Sequence, residues 1–345
     1  MADGHTTSSP STAPLVDRFG RHVTYLRMSV TDRCDLRCTY CMSERMTFMP
    51  KKELLSFEEL EQIADAFIER GVKKIRISGG EPLVRRDILT IFQKLGSKLG
   101  SGLETLSMTT NATLLDKYAA PLADAGLHSV NVSIDSLTPD RFHAITRRGN
   151  LDQVLRGIQA AKQAGLKVKL NTVVLKDQNV DELPDMISWA HDQGFDMTLI
   201  EVMPLGETGE DRFDQYIPLP EVRDRLEQKW TLEDLTPTGE IGGPARYTRV
   251  RETSGKLGFI TPLTNNFCAG CNRVRVTCTG RIYMCLGQND CVDLREILRS
   301  SDTPGQDLNR ALDDALFHKP ERHEFDISEP ESRPALPRHM SVTGG

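Results

Sequence analysis

No stretch of the 345-residue chain approaches the roughly 18 consecutive apolar residues that a membrane-spanning helix needs, which excludes an integral helical membrane protein. An excess of positive charge is missing too. Lys and Arg number 43 against 49 Asp and Glu, a formal charge of −6. That balance argues against a protein held to nucleic acid through phosphate contacts, while leaving room for a local basic pocket. Cysteine is scarce: eight in a chain of this length are too few for a disulfide scaffold. Residues 1–14, MADGHTTSSPSTAP, have neither the apolar stretch of a secretory signal nor the arginines of a mitochondrial presequence. A disordered tail over 1–17 and a cytoplasmic protein are the expectation.

What remains suits one large domain or two smaller ones, with a hydrophobic fraction of 38% to fill a core. From residue 23 to about 204, β-rich runs alternate with helical patterns. Strands are expected at 23–30, 73–79, 104–111, 129–135, 167–175 and 196–203. Ser56 followed by Glu59 is a capping box ahead of Leu60, Ile63, Phe67 and Ile68. Thr138-Pro139 opens another helix, and Leu183, Met186, Ile187 and Ala190 form an apolar stripe. Gly71, Gly126, Gly165 and Gly194 each end a helical pattern before an apolar residue and a strand, as a left-handed C-terminal cap requires.

Alternation within the strands decides the kind of sheet. Leu26 and Met28 oppose Tyr25, Arg27 and Ser29; Ile75 and Ile77 oppose Lys74, Arg76 and Ser78; Val168 and Leu170 oppose Lys169 and Asn171. Parallel strands covered by helices on both sides would be apolar on both faces. Here helices can cover only one face, and dry burial of Arg and Lys on the other would be prohibitive. The α/β fold expected is therefore a partial, open (β/α)6 TIM-type barrel over 18–205 with a charged lumen, in preference to an antiparallel sheet with a solvated face. Beyond Pro204 the repeat is lost. A helix near 219–229 and a strand at 245–250 lead into a C-terminal region, 206–345, whose purpose lies in its cysteines.

Cys34, Cys38 and Cys41 form C-x-x-x-C-x-x-C in the loop after the first strand, where βα loops of barrels carry active sites. Three thiolates can hold one [4Fe–4S] cubane with an iron left open, whereas structural zinc and electron-transfer clusters take four ligands. Core thiols, or zinc completed from elsewhere, are the plain alternatives. Cys268, Cys271, Cys278 and Cys285, with Cys291 beyond, make a second group; its spacing admits either a four-cysteine zinc site or a second iron–sulfur cluster.

These residues carry a family resemblance. LRMSVTDRCDLRCTYC at 26–41 resembles the signature of radical S-adenosylmethionine (SAM) enzymes, and in particular of the GTP 3′,8-cyclases of molybdenum cofactor biosynthesis. IRISGGEPLVRRD at 75–87, MTTNATLL at 108–115, VNVSIDSL at 130–137, FCAGCNRVRVT at 267–277 and the terminal Gly344-Gly345 are similar to that family in the same order.

The resemblance implies two [4Fe–4S] clusters, one on Cys34, Cys38 and Cys41 and chelated by SAM, the other on Cys268, Cys271 and Cys285 and facing guanine. It leaves Cys278 and Cys291 as packing thiols. It assigns SAM contacts to Tyr40, Gly79, Gly80, Glu81, Ser133 and Met203, the glycines letting backbone approach the methionine amine. GTP contacts fall on Arg27, Arg76, Thr109, Lys169, Arg273 and Arg275, and a catalytic part on Arg275 with a Gly344-Gly345 tail inserted in the active site. Reductive cleavage of SAM would yield a 5′-deoxyadenosyl radical that takes the ribose C3′ hydrogen, after which C3′ bonds guanine C8 to give 3′,8-cyclo-7,8-dihydro-GTP. An electron donor and a pathway neighbour, cyclic pyranopterin monophosphate synthase, are implied partners; the oligomeric state is left open, a homodimer included. One departure stands out: Thr198 occupies a position where the family commonly has arginine. The competing readings are an iron–sulfur electron carrier, which would want four ligands per cluster, and a peptide-modifying radical SAM enzyme with an auxiliary cluster.

Overall fold

The computed structural model describes residues 13–209, 212–236, 243–265, 267–323, 325 and 338–344. Six strands fall where alternation puts them: β1 (Tyr25–Ser29), β2 (Lys74–Ser78), β3 (Thr105–Thr110), β4 (Ser129–Ser133), β5 (Lys167–Val174) and β6 (Asp196–Glu201). They pair in sequence order, all parallel. Between them run α1 (Phe57–Glu69), α2 (Leu89–Gly96), α3 (Leu115–Asp124), α4 (Pro139–Thr146), α5 (Leu151–Gln163) and α6 (Leu183–Asp192).

Local chemistry starts and stops these elements as expected. Ser56 Oγ accepts from the Glu59 amide at 3.1 Å while the Ser56 amide donates to Glu59 Oε2 at 2.7 Å, closing the capping box on α1. Thr138 precedes α4 without a side-chain cap bond, so the fixed φ of Pro139 opens that helix. In α6 the buried residues are Leu183, Met186, Ile187 and Ala190, the stripe read from spacing. Gly71, Gly126, Gly165 and Gly194 all have positive φ, between 76° and 94°, where a Cβ would clash with the following carbonyl.

Side chains divide by face. Leu26, Met28, Ile75, Ile77, Val130 and Leu170 are at most 1% exposed and pack against the helices as one core. Such burial removes roughly 1.5–3 kcal/mol of unfavourable hydration per large apolar side chain. The polar partners of that alternation look into the lumen.

The strands of the C-terminal region, 206–345, extend the same sheet at both edges. Among the described residues there is one sheet of twelve strands, in the order β12-β11-β10-β1-β2-β3-β4-β5-β6-β9-β8-β7. Here β7 is Leu232–Asp234, β8 Arg246–Val250, β9 Lys256–Ile260, β10 Arg273–Val276, β11 Arg281–Tyr283 and β12 Cys291–Asp293. β10 runs parallel to β1 and β9 parallel to β6, so the barrel stays open and the chain beyond 205 builds its two lips. Backbone groups left unpaired on β1 and β6 would otherwise be exposed edges, and β10 and β9 satisfy them.

The tail expected over 1–17 ends earlier. Residues 1–12 lie outside the described residues, but Leu15 is 2% exposed, its amide bonds the Arg70 carbonyl, and Asp17 pairs with Arg21 at 2.6 Å. No helix among the described residues is long and apolar enough to cross a membrane.

Candidate active site

The loop after β1 carries Cys34, Cys38 and Cys41 and is tied down on three sides. The Arg37 amide bonds the Thr146 carbonyl and the Thr39 amide that of Ile145, stitching the loop to the end of α4. Arg37, 6% exposed, donates to the carbonyls of Cys34 and Leu36, both at 2.7 Å. Asn111 Nδ2 and Thr113 Oγ1 hold Asp35 at 2.7 and 2.6 Å. Tyr40 donates its hydroxyl to Asp135 at 2.7 Å, so its side chain ties the loop to the end of β4. Burial lifts Asp135 to about 6 despite that bond and one from the Val173 amide.

Gly79 and Gly80 follow β2, and the packing of the fold gives a reason of its own for glycine there. A Cβ on Gly79 would stand 2.5 Å from the Thr31 carbonyl oxygen, and one on Gly80 2.4 Å from that of Arg33. The missing side chains are needed for the cysteine loop to bond this strand end, through Gly80 N to Thr31 O and Glu81 N to Arg33 O, each 2.8 Å. Gly80→Ala is expected to cost about 2–3 kcal/mol by overpacking. It should lower both Tm and the iron retained by the first triad. Gly305→Ala, at a position open to space, should change neither.

Glu81 is fully buried and does not line the cavity. Its Oε1 accepts from the Leu83 amide and Thr110 Oγ1, and its Oε2 from the Asn111 amide at 2.7 Å. Burial raises its carboxyl to about 7 against those bonds.

Two cavities adjoin along the lumen. The first, about 170 Å³, is lined by the three cysteines together with Tyr40, Gly79, Gly80, Ser133 and Met203. The second, about 260 Å³, is lined by Arg27, Arg76, Lys169, Arg273 and Arg275 and by Cys268, Cys271 and Cys285. Thr109, Asn171, Ile200, Met203 and Met340 line both, forming the waist between them.

The second cavity holds six cations, Lys74 being the sixth, and no carboxylate among its described lining residues. These groups disturb one another. Burial, with repulsion from Arg76 and Arg273, depresses Arg27 to about 10 even though Tyr25 opposes the shift. Burial and the neighbouring Arg27 and Arg273 hold Arg275 well below the usual guanidinium range. Tyr25 is pushed up by burial, but Arg76, Arg27, Lys74 and Arg273 outweigh this and bring it down to about 8. Arg76 Nε, Thr109 Oγ1 and Asn171 Oδ1 are buried there without a hydrogen-bond partner, which polar groups tolerate where a ligand or water completes them.

Donor chemistry at both triads fits iron–sulfur ligation. Burial raises Cys34 and Cys38, so their thiolates want a metal as counter-charge. At the second triad burial also opposes ionisation of Cys271, but Arg273 and Lys319 outweigh it and bring the thiol down to about 7. Lys319, 1% exposed, aims its ammonium at Cys271 Sγ, 3.8 Å away, and bonds the Arg273 and Met284 carbonyls. Among the described residues no three His, Cys, Asp or Glu donors converge as around a single ion. Cys278 is buried and pushed up to about 12 by that burial; Cys291 is exposed on β12; neither lines a cavity.

The chain's end reaches this site. Arg275 donates to the Gly344 carbonyl at 2.6 Å, and a Cβ on Gly344 would overlap Ser78. Gly345 lies outside the described residues. Lys74 and Asn171, on the polar face that alternation defines, also line the second cavity, as does Asn131 on β4. Tyr247, Lys319 and Met340 carried no such signal, because they arrive from β8 and from segments after the sheet.

An open parallel barrel whose first βα loop presents C-x-x-x-C-x-x-C defines a radical SAM enzyme. Residues 28–190 match the Radical SAM superfamily profile and residues 195–325 the profile described as Molybdenum Cofactor Synthesis C. The GTP 3′,8-cyclase of Rhizobium etli is 57% identical over 98% of this chain and 97% of its own length, and that of Erythrobacter litoralis 58% over 96% and 98%. This chain belongs to the GTP 3′,8-cyclase family. Among solved structures, Streptococcus suis SuiB bound to S-adenosylmethionine superposes with a TM-score of 0.60 at 15% identity, over 94% of this chain and 79% of SuiB. At that identity the likeness is one of fold.

Proposed function

We propose that this chain converts GTP to 3′,8-cyclo-7,8-dihydro-GTP, with SAM and one [4Fe–4S] cluster in the first cavity and GTP beside a second cluster in the other. The observation that carries the reading is a pocket whose described lining residues include six cations and no acid, in a protein of net charge −6, directly adjoining the cavity of the first triad. Convergent cations answer a triphosphate, which offers many acceptor oxygens around one centre.

When bound, the first cluster and SAM supply a primary carbon radical. The protein's part is to bring one C–H bond to it and keep others away, which is positioning. Arg27, Arg76, Lys74, Lys169, Arg273 and Arg275 would hold the phosphates and base; Thr109 and Asn171, at the waist, would fix the ribose. Ile200, Met203 and Met340 present apolar surface at that junction and exclude water from it. Cys268, Cys271 and Cys285 would hold the second cluster, and Gly344, pinned by Arg275, would close the cavity. A cytoplasmic location, an external one-electron donor and delivery of the product to cyclic pyranopterin monophosphate synthase belong to the same proposal.

Anaerobic protein reconstituted with iron and sulfide, then given dithionite, SAM and GTP, should release 5′-deoxyadenosine and the cyclised nucleotide together. An electron carrier would release no 5′-deoxyadenosine, and a peptide-modifying enzyme would cleave SAM without consuming GTP.

A further inference from the structure

Thr198 lies on the lumen face of β6, fully buried, and among the described residues its Oγ1 has no hydrogen-bond partner. Its neighbour across the β6–β9 pair is Gly258, and Gly258 in turn stands opposite Tyr247 across β9–β8. One row of the sheet thus reads threonine, glycine, tyrosine. The tyrosine ring leans over the glycine between them: a Cβ on Gly258 would meet Tyr247 Cε1 at 2.9 Å and, on the other side of the row, Thr198 Oγ1 at 3.0 Å. Lying there, the ring reaches Lys169 on β5, whose ammonium donates to the Tyr247 hydroxyl at 2.8 Å and stands 5.5 Å from the ring centroid. Lys169 and Tyr247 both line the six-cation cavity.

From this geometry we infer that Tyr247 is a positioning residue for GTP, holding the Lys169 ammonium toward the triphosphate, and that position 198 is short because the ring occupies the space a long side chain would need. A lysine alone is a mobile point charge with several rotatable bonds. One hydrogen bond and the ring face restrict it before substrate arrives, which reduces the ordering cost of binding. The missing guanidinium at 198 is therefore compensated within the same row of the sheet. This inference rests on the reading that Lys169 binds GTP.

The test is GTP affinity by equilibrium dialysis on anaerobic holoenzyme without SAM, alongside KM and turnover with SAM. Tyr247→Phe should weaken GTP about tenfold, the scale of a hydrogen bond to a charged group, and raise KM with turnover at saturating GTP preserved. Lys169→Met should weaken GTP at least as much, and the double variant no further, because the tyrosine acts through the lysine. Thr198→Arg should weaken binding although it adds a cation, since the guanidinium and the ring compete for one space. Tighter binding by Thr198→Arg, additive losses in the double variant, or an unchanged Tyr247→Phe would overturn the inference. An unchanged Lys169→Met would instead remove the site reading itself, and the inference with it. Tyr247→Phe keeps the ring, so its melting temperature separates loss of affinity from loss of fold.

Discussion

Replacing Cys38 by serine is expected to abolish 5′-deoxyadenosine formation and to halve the iron, from about eight atoms per chain to about four. Replacing Cys271 by serine should remove the same amount of iron and leave SAM cleavage measurable while GTP consumption fails. The asymmetry follows from placement: the first triad lines the cavity with the residues assigned to SAM, the second lines the cationic one. Buried thiols with raised pKa values give up protons only to a metal, so loss of one should release the whole cluster. Iron analysis with zinc determined in parallel checks this. Four irons and one zinc in the unsubstituted protein would remove the second cluster from the proposal.

The other large effect is expected at Arg275. Arg275→Met should cut kcat/KM for GTP by a factor of about 100 or more, since truncating a buried charge partner costs about 2–5 kcal/mol at an interface. At the same time the ligand-free protein should melt at the same temperature or higher. Repulsion from Arg27 and Arg273 and burial of the guanidinium disfavour the charged form, and methionine relieves both. A site shaped for a polyanion carries this strain until the anion arrives. The substitution also frees the Gly344 carbonyl, so uncoupled SAM cleavage should persist while GTP use falls. A parallel fall in Tm and in both activities would mean that Arg275 is chiefly structural. Thermal melts with and without GTP, and the ratio of 5′-deoxyadenosine to cyclised product, distinguish these outcomes.

Much of the barrel could be read from periodicity because each βα unit carries its own instructions. A strand with one charged face tells which side meets the lumen without knowledge of its neighbours, and β1, β2 and β5, whose Arg27, Arg76 and Lys169 line the lumen, obeyed this. The capping box of α1 and the four positive-φ glycines are equally local. Cysteine spacing identified the first loop for the same reason: its ligands sit within eight residues. The need for Gly79 and Gly80 was legible, its cause was not, since the carbonyls that crowd them belong to another βα unit.

By itself, then, the sequence determined the repeat, the polarity of the charged strands and the first group of three cysteines, all of them matters of spacing along the chain, while the choice of Cys268, Cys271 and Cys285 and the roles of the cations came from the family resemblance. Only the tertiary structure decided that residues beyond 205 become the lips of the same sheet, that Lys319 stands against Cys271, and that Tyr247 crosses a glycine to hold Lys169. The physical reason is that these depend on register between segments tens to hundreds of residues apart. Two strands with the same alternation can pair at several places, and the choice is made by packing that no single segment encodes.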